Sequence, residues 1–99
     1  MKQIERIEQM ENIFDASNAL TKSLLHALYN YEENMQEFSQ LVSYYESEEW
    51  RKDFEDDEKG LLPKELKRGI LSEDGIYHLI EMNQEIYDLM GKILETKKD

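Results

Sequence analysis

The sequence predicts an all-α protein, and three observations favour this fold class. The 99 residues include one valine and two threonines against twelve leucines, with many Glu, Lys, Gln and Met, so helix formers greatly outnumber strand formers. No proline or glycine occurs before Gly60. Apolar residues recur in steps of three and four over five heptads, which is a helical period. We therefore expect a single helical domain, residues 1–99, arranged as a three-helix bundle without strands of consequence.

The first helix is predicted from an apolar seam. The seam comprises Ile7, Met10, Phe14, Ser17, Thr21, Leu24, Leu28, Tyr31, Met35, Phe38, Val42 and Tyr45. A neighbouring row widens the seam, as in a bundle helix that packs on two partners: Ile13, Leu20, Ala27 and Leu41.

The length of this first helix poses a choice. One continuous helix would extend about 70 Å and would need a second copy of the chain to bury its seam. A break would let one chain close a bundle by itself. Two asparagines and two tyrosines, all weak helix formers, fall within residues 29–34. We therefore predict a break near residues 29–34, where the chain would bend between two helices.

An acidic segment follows the seam. Residues 46–58, ESEEWRKDFEDDE, carry eight acidic and two basic side chains, a pattern that is usual for a solvated face. A helix through this segment would place Trp50 and Phe54 on one face, four residues apart. With Tyr44, Tyr45 and Tyr77 they are the aromatic candidates for a contact surface.

A short helical elbow is predicted at residues 63–68. Gly60 is expected to stop the preceding element, Pro63 to open a single helical turn, and Gly69 to end it in the left-handed conformation. Lys64, Lys67 and Arg68 form a small positive cluster in this elbow. Ion pairing with the acidic residues 53–58 is the simpler interpretation of the cluster, and contact with an anion or a partner is the alternative.

The last helix is predicted to span residues 73–96. Ser72 can cap its N-terminus, and Glu73 and Asp74 place negative charge at the positive end of the helix dipole. Its apolar positions begin at Ile76 and continue at helical spacing to Leu94.

The segments YYESEEW, DFEDDEKG and LLPKELKRGILSEDG, followed by Tyr77, resemble a family of short all-helical bacterial proteins catalogued only as a domain of unknown function. The resemblance covers nearly the whole chain and is strongest from Tyr44 to Tyr77. It implies an all-helical fold. It implies no catalytic or ligand-binding residue.

Several classes of function are disfavoured by the composition. The net charge of −11 argues against binding to nucleic acid or to an anionic membrane surface. The chain has no cysteine, and its two histidines, His26 and His78, lack metal-ligand spacing. Asp53, Glu55 and Asp57 alternate as calcium ligands do, but Glu58 and Lys64 stand where a calcium loop needs Gly and Glu. We expect no cofactor, no metal site, no catalytic residue and, without a signal peptide or a membrane span, a cytoplasmic location.

The resulting hypothesis is a non-enzymatic interaction, structural or adaptor protein that acts through helical surfaces. A homodimer is compatible with a wide stripe on a short chain. One alternative is an acidic regulator that occupies a basic surface, because residues 23–50 contain six acids and no Lys or Arg. Another is a small-ligand binder at Tyr44, Tyr45, Trp50 and Tyr77. The candidate interaction residues are Trp50, Phe54, Tyr44, Tyr45, Lys64, Lys67, Arg68 and Tyr77.

Overall fold

A computed structural model describes residues 2–97 and contains three helices. They are α1 (Lys2–Tyr45), α2 (Glu48–Glu58) and α3 (Glu73–Thr96), and a 3₁₀ turn, Gly69–Leu71, lies between the last two. Residues 2–97 include no strand, so the all-α prediction is confirmed. The chain divides into two compact units, Met1–Phe38 and Ser39–Asp99. Packing as a three-helix bundle stays a prediction.

The predicted break near residues 29–34 is wrong, because α1 runs without interruption from Lys2 to Tyr45. Asn and Tyr each disfavour a helix interior by only about half a kcal/mol relative to Ala, whereas Pro costs about 3 kcal/mol and is absent here. The prediction assumed that one chain must bury its own seam. Residues 2–38 therefore form a single helical segment, and a single helix has no core of its own.

The junction between α1 and α2 is made by Ser47. Its backbone is extended, with φ −94° and ψ 164°, and its hydroxyl accepts a hydrogen bond from the Trp50 backbone N–H at 3.3 Å. The same hydroxyl donates to the Tyr44 carbonyl at 2.6 Å. Ser47 thus hydrogen-bonds both a carbonyl at the end of α1 and a backbone N–H at the start of α2 that has no acceptor within its own helix.

Gly60 ends α2, as predicted. It is the one glycine of residues 2–97 with a positive φ, +73°. The Gly60 N–H bonds the Asp57 carbonyl and the Leu61 N–H bonds the Asp56 carbonyl, each at 3.0 Å. This is the paired bonding of a Schellman helix end, which needs a residue in the left-handed conformation at this point.

The elbow prediction is wrong in its details. Residues 63–66 form a turn closed by the Leu66 N–H on the Pro63 carbonyl at 3.2 Å, and the helical turn lies later, at Gly69–Leu71. Gly69 does not have the left-handed φ that we predicted for it. The Arg68 side chain donates hydrogen bonds to the carbonyls of Pro63 and Leu66. These two carbonyls therefore have hydrogen-bond donors although residues 63–68 do not form a helix.

The start of α3 is confirmed. Ser72 is its N-cap, and the Ser72 hydroxyl accepts from the Gly75 N–H at 3.2 Å. Glu73 and Asp74 occupy the first turn, and the helix spans the predicted residues 73–96. The core of the described chain comprises Trp50, Leu71 and Ile76, which are 7%, 7% and 3% exposed. All three belong to residues 39–99.

Candidate functional site

Trp50 lies within residues 44–77, the part of the sequence that holds the distinctive motifs. Its indole N–H donates to the Ile70 carbonyl at 2.9 Å, a bond between residues twenty apart. Because Ile70 lies in the 3₁₀ turn, this bond ties α2 to the segment that leads into α3. The candidate interaction residue is therefore a buried residue that holds the elbow in place.

Two further aromatic candidates pack on Trp50. The Phe54 ring stacks on the indole with centroids 5.2 Å apart, and the Tyr45 ring meets it edge-on at 5.0 Å. Such pairs contribute about 0.5–1.5 kcal/mol beyond the area that they bury. The predicted shared face of Trp50 and Phe54 is confirmed, and these three rings cover one another.

Tyr44 makes a side-chain contact of its own. Its hydroxyl donates to the Asp53 carboxylate at 2.6 Å, which fastens the last turn of α1 to α2. Burial, the hydrogen bond to Asp53 and the negative charges of Asp53 and Glu49 together raise the pKa of Tyr44 to about 12. Each of these effects disfavours the phenolate, so the contact requires the neutral phenol.

The raised pKa of Tyr44 predicts a pH dependence of stability. A tyrosine with a pKa of 10.0 when unfolded and about 12 when folded contributes stability that is complete below pH 10 and is lost as the pH rises through 12. We expect wild type to exceed Tyr44→Phe in free energy of unfolding at neutral pH, and this difference to shrink between pH 10 and 12. Urea unfolding of both proteins across that range measures it.

Tyr29→Phe is the matched control for this experiment, because the Tyr29 ring is exposed on α1. Lysine deprotonation affects all three proteins alike and cancels in the differences. A difference between wild type and Tyr44→Phe that stays constant from neutral pH to pH 12 would show that the Tyr44 hydroxyl does not favour its neutral form in the fold.

Arg68 holds the elbow closed. Its guanidinium pairs with Asp57 near the end of α2, and two of its nitrogens donate to the carbonyls of Pro63 and Leu66. The intramolecular interpretation of the positive cluster is confirmed for this residue. Both partners of the pair are part-buried, with side chains 35% and 19% exposed.

The remaining candidates lie on the surface. Lys64 and Lys67 are exposed in the elbow, and neither makes an ion pair within residues 2–97. Tyr77 is exposed on α3, where its ring lies 6.2 Å from that of His78. The outward face of α2 carries three acidic and three basic residues and is a shallow, open surface: Glu48, Arg51, Lys52, Glu55, Asp56 and Lys59.

One exposed apolar feature was omitted from the candidate interaction residues, namely the seam of α1. Eight large apolar residues of the seam and its neighbouring row are 39–72% exposed: Ile7, Met10, Ile13, Phe14, Leu20, Leu24, Leu28 and Met35. No residue of α1 is buried. The signal was present in the sequence, since no Pro or Gly interrupts the seam and its apolar residues recur at helical spacing.

Residues 2–97 contain neither a metal-binding cluster nor a membrane-spanning helix. No group of three or more His, Asp or Glu side chains is placed to hold a metal ion. None of the helices there combines the length and the apolar character that crossing a membrane requires.

Comparison with known proteins relates the chain to a protein family. No curated protein and no solved structure matches the chain. A family model described as Domain of unknown function (DUF4298) matches residues 7–93. The matched range includes the exposed part of the seam as well as the Trp50 centre and the Arg68 contacts. Since the match covers well over half of its length, the chain belongs to the DUF4298 family.

Proposed function

We propose that this is a non-enzymatic interaction protein whose contact surface is the seam of α1. One observation carries the proposal: the apolar residues of a 44-residue helix are exposed at regular helical spacing. Scattered apolar residues on a surface need no explanation, but a continuous apolar stripe usually marks an interaction site.

The extent of the stripe supports the proposal. The eight exposed residues extend from Ile7 to Met35, over about 42 Å of helix. A contiguous apolar stripe of this length differs from the single apolar residues that are scattered over an ordinary surface.

The aromatic strip supports a ligand-binding function less well. Trp50 is only 7% exposed, and its indole N–H is already bonded to the Ile70 carbonyl. Tyr45 and Phe54 pack on its ring, and the Tyr44 hydroxyl is bonded to Asp53. These groups stabilise the fold, so they are not available for contact, whereas the exposed apolar residues of the seam are.

In-cell photo-crosslinking tests the proposal. A photoreactive phenylalanine analogue replaces Phe14, a seam residue, or Ala19, which points away from the seam on the same helix. We expect discrete crosslinked products from position 14 and few from position 19. Equal yields from the two positions, or none from either, would contradict the proposed surface.

A further inference from the structure

We infer that the N-terminal part of α1 is an order–disorder element. In the free chain, the helix of residues 2–30 opens from its N-terminal end while residues 39–99 stay folded. The inference adds a means of regulation to the seam, and that last step rests on the interaction function proposed above. Three observations carry it: the exposure of residues 2–30, the contacts at the other end of α1, and the charges along the segment.

Residues 2–30 form a helix without a packed face. Every residue in this range is exposed, on the seam and on the outward face alike. Helices in proteins take most of their stability from packing of one face, and a single helix in water is only marginally stable. Segments with few buried apolar contacts and exposed backbone hydrogen bonds open at a small cost in free energy. The segment is therefore close to balance between helix and coil.

The C-terminal end of α1 is held in place. The Tyr44 hydroxyl donates to the Asp53 carboxylate at 2.6 Å. The Tyr45 ring meets the Trp50 ring edge-on, with centroids 5.0 Å apart. These contacts fix the last turn of α1, so the unfavourable nucleation of the helix is already complete at this end. Opening therefore begins at the N-terminal end and proceeds toward the fixed one.

The charges of the segment weaken the helix further. Four acidic residues follow one another at spacings of three, three and four positions: Glu5, Glu8, Glu11 and Asp15. Like charges at these spacings are neighbours on a helix surface and destabilise it. Lys2, three positions before Glu5, supplies the one pair of opposite charges at such a spacing within residues 2–30.

This balance makes helix formation part of docking on the seam. A partner that covers the seam binds the ordered segment, so the free energy of ordering is subtracted from the free energy of binding. Outward residues that never touch the partner then influence its affinity through their helix propensity.

Two outward positions test the inference on the full-length chain without any partner. Ala19 points away from the seam, and Asn12, seven positions earlier, lies on the same face. In an α-helix the N–H of residue i bonds the carbonyl of residue i−4, so opening from the N-terminal end must pass position 19 before the amides of residues 22–30 can exchange. We expect Ala19→Gly to lower the protection of these amides about fivefold, and Asn12→Ala to raise it about threefold. Millisecond hydrogen exchange of the free chain measures both.

The same experiment contains two controls. In Ala19→Gly, amides that precede position 12 should change little, because they exchange once the first turns have opened. In both variants, amides around Trp50, Leu71 and Ile76 should keep their protection, because opening of residues 2–30 leaves their core intact.

Three outcomes would overturn the inference. Equal changes in residues 22–30 and around Trp50 would mean that α1 opens only together with the rest of the chain. A change in Ala19→Gly confined to residues before position 19 would mean that opening begins at the other end. No change in either variant would mean that residues 2–30 are either fixed or already unfolded in the free chain. None of these results affects photo-crosslinking from position 14, so a failure of this inference is distinguishable from a failure of the proposed contact surface.

Discussion

Replacing Trp50 with alanine is expected to lower the free energy of unfolding by about 3–5 kcal/mol, the usual cost of removing a large aromatic side chain from a core. The ring is 7% exposed and packs on both Tyr45 and Phe54. Its loss would also leave the Ile70 carbonyl without its donor. Since small domains are stable by about 5–15 kcal/mol in total, this change could unfold the segment from α2 to α3.

A second variant keeps the prediction measurable if the first does not fold. Trp50→Phe retains an aromatic ring but removes the N–H that reaches the Ile70 carbonyl, so we expect a loss of about 1–3 kcal/mol. Tyr77→Ala, an exposed aromatic residue on α3, should change stability by no more than about 0.5 kcal/mol. Urea unfolding followed by circular dichroism measures all three. A Trp50→Ala protein as stable as Tyr77→Ala would contradict the central role assigned to Trp50.

The second large effect is expected at Arg68. Arg68→Ala removes the pair with Asp57 and the donors to the Pro63 and Leu66 carbonyls, so we expect a loss of about 2 kcal/mol after allowing for the part-exposed position of the guanidinium. Arg68→Lys should recover little, because an ammonium group cannot bond three acceptors through a planar fork. Urea unfolding provides the measurement.

Lys67→Ala is the matched control, since Lys67 is the exposed neighbour of Arg68 in the same cluster. Its removal should be nearly neutral. A double-mutant cycle with Asp57→Ala isolates the contribution of the ion pair from that of the two carbonyl contacts. Equal stability of the Arg68→Ala and Lys67→Ala proteins would mean that Arg68 does not hold the elbow closed.

Local signals in the sequence were sufficient for several elements. Ser72 with Glu73 and Asp74 located the start of α3, and Gly60 located the end of α2, because caps depend on residues a few positions apart. The shared face of Trp50 and Phe54 followed from their spacing of four. In each case the interacting groups are neighbours along the chain.

Contacts between distant residues could not be obtained in the same way. The bond from Trp50 to the Ile70 carbonyl spans twenty residues, and the pair of Arg68 with Asp57 spans eleven. Neither leaves a periodic pattern in the sequence. The elbow was predicted as a helical turn because the composition of residues 63–68 permits one. In the structure, the Arg68 side chain bonds the carbonyls of Pro63 and Leu66 instead.

The candidate interaction residues all lie within residues 44–77, and most of them make contacts that stabilise the fold. Trp50, Phe54, Tyr44, Tyr45 and Arg68 pack or bond within residues 44–70. The wrong prediction of a break at residues 29–34 had the same origin as the omission of the seam from the candidate interaction residues. Both followed from assuming that one chain buries all of its own apolar residues.

Hydrogen exchange measured at several protein concentrations tests the central claim most directly, namely that residues 39–99 carry their own core whereas no residue of α1 is buried. We predict that protection around Trp50, Leu71 and Ile76 is independent of concentration. Amides in residues 2–38 should be only weakly protected at the lowest concentration, because no residue of α1 is buried. Strong protection of residues 2–38 that is already complete at the lowest concentration and unchanged above it would contradict the account.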